Sequence, residues 1–323
     1  MTDLLTAPIA RPLPIVRPRV ARRAVIDVDV VIVGYHSRDL VMACLDSLPA
    51  AADGAVVSAT VVDNGSNDGT VEAVRARGDG TRVIDMGSNT GFAVANNAGM
   101  ARGTGRYVLV LNPDTVVSPG ALRTLVEFAD RHRGAGVVAP RLLNADGTRQ
   151  LTGRAFPTAA AGLFGRRSLL TRWFPDNRWS RAFLAEREHV EDGRPFEVDW
   201  VSGAAMLVPR SVHSETAGFD EAFFLYWEDT DWCRRIKDAG YSVWCVPAAT
   251  VVHDEGGTRN HTWSARVIRA FHRGAYRYWT KHHAPQWWHP LRWTAAVLLS
   301  GRAAALILAS YLRPTRTGND HSS

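Results

Sequence analysis

The sequence predicts an α/β fold built on a doubly wound sheet. Apolar, β-branched runs alternate with segments of helical spacing from Val28 to Pro140, and two of those runs lead into a carboxylate, at Asp63 and Asp114. Strands separated by helices form parallel sheets, and ligands of such sheets bind beyond the carboxyl ends of the strands.

Val28–Tyr35 is a continuous run and reads as a buried strand. Arg38–Leu48 has helical spacing through Leu40, Val41, Cys44, Leu45 and Leu48, and Val56–Asp63 is the second strand. A short helix over Asp68–Arg77, a strand over Thr81–Met86, a helix over Phe92–Arg102 and a strand over Tyr107–Leu111 follow. Ser118 and Pro119 read as the cap and first residue of a helix reaching about His132. Gly136–Pro140 is a fifth strand.

The rhythm then breaks. Residues 141–197 mix Arg, Gly and aromatics without periodicity and are expected to form a partly helical excursion over the site. Trp200–Pro209 reads as a strand, Asp229–Ala239 as a helix, Ser242–Val246 and Thr250–His253 as short strands, and 263–283 as a helix. Ala295–Leu312 is mostly apolar but shorter than the about 20 residues a full membrane span needs. Preceded by Trp287, Trp288 and Trp293, it reads as an in-plane or shallow membrane helix. The alternative is packing on the protein or on a second subunit, as in a homo-oligomer. Three segments result: a disordered basic leader over 1–24, rich in Pro and Arg, an α/β domain over 25–260, and a helical extension over 261–323.

Of 323 residues 46% are apolar, enough for a substantial core, and the net charge is +6. The excess sits in arginines near both ends, which suits an anionic membrane surface; no basic stripe crosses the middle, so nucleic acid is not an expected partner. Cys44, Cys233 and Cys245 form no C-x-x-C pair, and the N-terminus has prolines where an apolar leader core would be. Both point to the reducing cytoplasm, at the inner face of the membrane.

Five motifs carry the chemistry. In Val61-Val62-Asp63-Asn64-Gly65, Asp63 ends a strand, where a carboxylate can accept the N3–H of uracil or thymine; Asn64-Gly65 reads as a tight turn and Asp68 as a helix cap. In Asn89-Thr90-Gly91-Phe92 and the following Asn96-Asn97, small residues and amides open a helix, which suits a diphosphate or nucleoside; amides tying down a neighbouring loop are the alternative. In Asn112-Pro113-Asp114, Asp114 is placed to bind a divalent cation bridging a diphosphate. Trp227-Glu228-Asp229-Thr230-Asp231 crowds three carboxylates at a helix start, which raises some of their pKa values and suits a general base; Asp231 and Arg235 are spaced to pair. His253, ending an apolar strand, is a ligand or a core residue, and Asp114 favours the ligand.

These segments in this order resemble the family 2 glycosyltransferases of the GT-A fold, from about Val28 to His253. Within the family the chain is most similar to bacterial rhamnosyltransferases, through Asn112-Pro113-Asp114, Trp200–Pro209, Gly218–Asp231 and Leu291-Arg292-Trp293-Thr294. The resemblance implies a mixed sheet over 25–260 and an inverting, metal-dependent transfer from a nucleotide-diphospho-sugar donor. L-rhamnose from dTDP-L-rhamnose is the expected sugar, and a glycan or polyprenyl-diphosphate-linked acceptor the expected target, in cell-wall or polysaccharide synthesis. Asp229 would be the catalytic base. Tyr35, Asp63, Asn89, Gly91, Asn96, Asn112, Trp200, Gly203, Trp227 and Glu228 would line the donor site. Asp114 and His253 would bind Mg²⁺ or Mn²⁺. Asn112 departs from the family's D-x-D motif, which lowers the site's negative charge, and imidazole tilts the choice slightly toward Mn²⁺.

Rival readings fare worse. The turn after the first strand, Val33-Gly34-Tyr35-His36-Ser37, lacks the G-x-G-x-x-G of a dehydrogenase. Gln286 and Arg292-Trp293 are wrongly spaced for the Q-x-x-R-W of a processive synthase. A UDP- or GDP-sugar donor and an inactive nucleotide-sugar-binding module remain as alternatives.

Overall fold

The structure, a computed structural model, describes residues 27–157, 193–254 and 264–312. The leader expected over 1–24 and most of the excursion within 141–197 lie outside the described residues. The strands are β1 Val28–Gly34, β2 Val57–Asp63, β3 Arg82–Asp85, β4 Tyr107–Leu111, β5 Thr115–Val117, β6 Ala135–Leu143, β7 Gly153–Arg154, β8 Phe196–Val198, β9 Trp200–Val201, β10 Ala205–Pro209 and β11 Ser242–His253. The helices are α1 Arg38–Ala52, α2 Thr70–Arg77, α3 Phe92–Met100, α4 Ala121–Arg131, α5 Arg210–Thr216, α6 Glu228–Asp238, α7 Ala265–His282 and α8 Pro290–Leu312.

Nine of the described strands form one sheet, ordered β3-β2-β1-β4-β10-β6-β11-β5 with β8 on β11, while β7 and β9 pair apart. β1 runs parallel to β2 and β4, β2 to β3, and β6 to β11. β10 is antiparallel to both β4 and β6, and β5 and β8 are antiparallel to β11. The sheet is thus mixed, as the family resemblance implies, and not wholly parallel as strand–helix alternation alone predicts. The alternation rule needs a helical crossover between successive strands, and β10 enters the sheet from the aperiodic stretch instead.

Side-chain alternation splits the core between the two faces of the sheet. Val30, Ile32, Leu109 and Leu111 pack with Leu122 and Leu125 of α4 on one side. Val31, Val62, Val110 and Met206 pack with Trp232 and Ile236 of α6 on the other. Trp232 is wholly buried, with its indole N–H satisfied by Thr216 Oγ1 at 2.8 Å. Each such large apolar side chain stabilises the fold by about 1.5–3 kcal/mol.

Several element boundaries move. α4 starts at Ala121 after Gly120, whose φ of 72° makes the cap, and not at Pro119. β5 is three residues long, too short for any periodicity to show. The expected strand over Trp200–Pro209 breaks at residues 202–204, between β9 and β10. The two strands expected over 242–253 are one strand with an irregularity between Val246 and Thr250. α8 begins five residues before the expected Ala295, with Pro290 in the first-turn position that tolerates a missing N–H.

Candidate active site

The ends of β1 and β2 lie side by side, with Gly34 opposite Asp63. Asp63 is 1% exposed; its Oδ2 accepts the Ser66 N–H at 2.9 Å, while Oδ1 is buried with no partner. A buried carboxylate oxygen without a donor is costly, and a ligand N–H would satisfy it. Gly65, at φ 83°, makes the turn beside it; a Cβ there would lie 2.6 Å from the Ser88 backbone. Asp68 caps locally, accepting from Thr70 N and Oγ1 and from the Arg38 N–H. Tyr35, 45% exposed, stands one residue beyond β1.

Asn64 ties this end to the loop before α3. Its Oδ1 accepts the Thr90 N–H at 2.9 Å, and its Nδ2 donates to Asn89 Oδ1 and to Gly91 O, both at 3.3 Å. Asn89 Oδ1 also accepts the Gly91 N–H at 3.1 Å. Gly91 has φ 92°, and a Cβ would meet Phe224 O at 2.6 Å. Asn96 is fully buried and donates Nδ2 to Phe92 O at 2.9 Å. Asn97 takes the loop-tying role: it accepts the Phe219 N–H and donates to Phe219 O and Glu221 Oε1.

Beyond β4, Asn112 donates its N–H to Ala204 O at 2.9 Å, and its Nδ2 stands 3.5 Å from His253 Nε2. Asp114 is nearly buried, and its carbonyl accepts the Asp254 N–H at 2.9 Å. His253 ends β11, which pairs with β5, so Asp114 Oδ1 comes to 3.3 Å from His253 Nε2. On the far side of the ring Nδ1 lies 2.9 Å from Gln150 Oε1. Among the described residues no group of three or more His, Cys, Asp or Glu side chains gathers to hold a metal. Asp114 and His253 nonetheless fit as two ligands of one cation. Donors bound to a small divalent ion at about 2.0–2.2 Å lie about 3 Å apart, and one anionic oxygen with one imidazole suits Mn²⁺ or Mg²⁺ with other ligands coming from a diphosphate and water.

Asp229 lies in the first turn of α6. Its Oδ2 accepts the Gly203 N–H at 3.0 Å, and Oδ1 accepts the Thr230 N–H at 2.7 Å. Burial raises its pKa, partly offset by those N–H groups and by Arg154. Burial, and next the Asp229 charge, push Glu228 up to about 8, and Glu228 Oε2 is buried with no partner. Tyr226 and Trp227 lead into the helix with φ of 68° and 76°, a strained pair for bulky residues. Trp227 is braced by Phe271 and Tyr278 of α7, with ring centroids 5.5 Å away in each case.

The third carboxylate has another job. Asp231 is fully buried; burial opposes its charge, but His282, Lys281 and Arg235 outweigh that and hold it at about 2. It binds His282 Nε2 at 2.8 Å and Arg235 Nε at 2.8 Å, fastening α6 to α7. Trp200 pairs with Arg154 in the small sheet, under its guanidinium at 4.9 Å, and donates Nε1 to Ala155 O.

The pieces form one connected arrangement. Asn64 joins Asp63 to Gly91. A Cβ on Gly203 would lie 3.6 Å from the Phe92 ring and 3.5 Å from Asp229 Cβ. Gly203 and Ala204 then link Asp229 to Asn112, which borders His253 and Asp114. Such a site can take a base N–H at one end and a hydroxyl proton at the other. Gln150 escaped the sequence reading because it lies in the aperiodic stretch, where its only signal was a polar side chain after a turn.

The family described as "Glycosyl transferase family 2" matches residues 29–193. The chain is 33% identical over 271 residues to the N-acetylglucosaminyl-diphospho-decaprenol L-rhamnosyltransferase of Mycobacterium tuberculosis, covering 80% of this chain and 86% of that one. Among solved structures it is similar to the mannosyltransferase PcManGT of Pyrobaculum calidifontis, in complex with GDP-Man and Mn²⁺, at a TM-score of 0.54 and 17% identity over 89% of this chain and 76% of that one. It is also similar to GalNAc-T7 with UDP, GalNAc and Mn²⁺, at a TM-score of 0.53 and 14% identity, covering 79% of this chain and 48% of that one.

Proposed function

This chain belongs to glycosyl transferase family 2, and on that premise we propose that it is an inverting, divalent-metal-dependent hexosyltransferase. It moves L-rhamnose from dTDP-L-rhamnose to a hydroxyl of a glycan or polyprenyl-diphosphate-linked acceptor in cell-wall or polysaccharide synthesis. The observation that carries the reading is the junction at Gly203-Ala204, which ties the Asp229 carboxylate to Asn112 and so to the Asp114–His253 pair. The rhamnosyl donor and the lipid-linked acceptor class are supported by the name of the mycobacterial relative.

Asp63 accepts the N3–H of the base with its free Oδ1, and Tyr35 flanks it. Asp114 and His253 would hold Mg²⁺ or Mn²⁺, which when bound would supply positive charge against that growing on the departing diphosphate. Asp229, its two oxygens fixed by the Gly203 and Thr230 N–H groups, takes the acceptor hydroxyl proton. The freed oxygen attacks the anomeric carbon as the bond to the diphosphate oxygen breaks on the opposite face, so one displacement inverts the centre. The unit over 25–260 carries this chemistry. The extension over 261–323 supplies α7 as a brace and α8 as a contact to the inner face of the membrane.

A second reading keeps the same chemistry with another donor, because uracil and thymine both present an N3–H to Asp63. A thermal-shift panel of nucleotide sugars with Mg²⁺ or Mn²⁺ separates them. A selective rise with dTDP-rhamnose is expected, and a selective rise with a UDP- or GDP-sugar would replace the donor.

A further inference from the structure

We propose that Gln150 is a positioning residue for cation binding: it holds the His253 imidazole in the tautomer whose Nε2 is bare toward Asp114. The proposal rests on the metal-dependent reading above and adds a residue outside every motif that supports it.

The assignment follows from which groups can donate. Gln150 Nε2 lies 2.6 Å from the His253 backbone oxygen and 2.6 Å from Asn144 Oδ1. A backbone carbonyl only accepts, so the group facing it must be the NH₂ of Gln150. The other end of that amide, Oε1, is therefore the acceptor 2.9 Å from His253 Nδ1. An oxygen there demands a proton on Nδ1, and a neutral imidazole then has its lone pair on Nε2. That lone pair faces the Asp114 Oδ1 atom at 3.3 Å, with Asn112 Nδ2 at 3.5 Å as a donor beside it. Two electron-rich atoms at this separation repel each other unless a positive charge joins them.

Gln150 is itself built in. Its N–H donates to Leu142 O at 3.0 Å, and Leu143 pairs with Arg149 across a short hairpin. The tip is closed by Asn144, which donates Nδ2 to Thr148 Oγ1 at 2.7 Å, and by Asp146, which accepts from Thr148 Oγ1 at 2.6 Å. The turn fixes Asn144, Asn144 fixes the Gln150 amide, and Gln150 fixes the ring. Hydrogen-bond partners of this kind commonly change metal affinity by about 10–100-fold.

The test uses the full-length chain. Long-range ¹⁵N spectra of the histidine rings, with His253 identified by comparison with His253→Ala, report the tautomer directly. Nδ1–H is expected in the wild type, and an Nε2–H tautomer there would overturn the proposal without any Gln150 variant. Mn²⁺ titration in the presence of dTDP is expected to weaken by about 10–100-fold in Gln150→Leu. Gln150→Glu turns an oxygen toward the His253 carbonyl and Asn144 Oδ1, where Gln150 donates, so it should not restore the loss. Wild-type Mn²⁺ affinity in Gln150→Leu, or an Nδ1–H signal kept unchanged in that variant, would sink it. If His253→Ala binds Mn²⁺ as well as the wild type, the metal reading itself fails; if only His253→Ala weakens, the role of Gln150 alone fails.

Discussion

Gly203 donates its backbone N–H to Oδ2 of Asp229 at 3.0 Å, across the point where the chain leaves β9 and enters β10. A continuous strand would have turned that N–H into the sheet ladder. The break frees it to orient a carboxylate at a helix N-terminus, where the helix dipole also favours negative charge. Asp229→Asn keeps an oxygen for one of the two backbone donors, so it should fold and bind donor normally. Turnover should fall by roughly 10²–10⁴-fold, the usual worth of a general base. Steady-state kinetics beside donor calorimetry decide this, and near-wild-type kcat would remove Asp229 from the role.

Asp114→Ala takes the anionic oxygen from the pair it forms with His253 Nε2 at 3.3 Å. The variant should lose the Mn²⁺-dependent part of donor affinity while keeping the part due to base and sugar contacts. Calorimetry with and without Mn²⁺ measures both, and an unchanged difference between the two titrations would count against Asp114 as a ligand.

At Gly91 a methyl group meets two obstacles, the positive φ of 92° and the Phe224 carbonyl oxygen 2.6 Å from the new Cβ. The Phe92 N–H also donates to that same carbonyl at 2.8 Å, so the two loops cannot simply part. Gly91→Ala should lose about 1–3 kcal/mol of stability and weaken donor binding together. A melting temperature equal to that of the wild type would show that the loops yield more easily than this contact implies.

Much of this was legible beforehand, for definite physical reasons. Asp63 and Asp114 end or follow buried β-branched runs, and a strand's carboxyl end is where such sheets bind ligands. Asp231 and Arg235 pair as their spacing predicts, yet the burial of Asp231 against His282 and Lys281 depends on how α7 lies over α6, which no local pattern encodes. The reversal of β10, the short β5 and the place of Gln150 all depend on long-range pairing. Periodicity cannot report pairings between residues far apart in sequence.

Glu228 makes the site sensitive to pH. Burial and the adjacent Asp229 charge push it up to about 8, from an ordinary value of 4.5. The folded protein therefore holds a proton that the unfolded chain gives up first. Between about pH 4.5 and pH 8 the native state binds more protons, so stability falls as pH rises through this window. Glu228→Gln mimics the protonated group and should flatten the fall. Melting temperatures for the two proteins should converge near pH 5 and separate toward pH 8, with the variant higher. Parallel curves across that range would mean that Glu228 is charged in the fold throughout.

The span Pro290–Tyr311 is 22 residues long, and its most apolar stretch has a mean hydropathy of 1.5 with only 6% of it buried. At 1.5 Å per residue it is about 33 Å long, close to the about 30 Å of a bilayer's hydrocarbon core. It carries Arg292 and Arg302 and no acidic residue, and Trp287, Trp288 and Trp293 are exposed at its start, as interfacial anchors are. Leu298 is 67% exposed, so Leu298→Asp should leave the melting temperature unchanged. A charge near a helix centre costs about 2.5–3.5 kcal/mol in the membrane, so co-sedimentation with anionic vesicles should fall at least about tenfold. Equal recovery of both proteins with vesicles would show that this face does not enter lipid. A wild-type protein that ignores vesicles and elutes as a dimer, which the variant dissolves, would assign the face to a second copy of the chain.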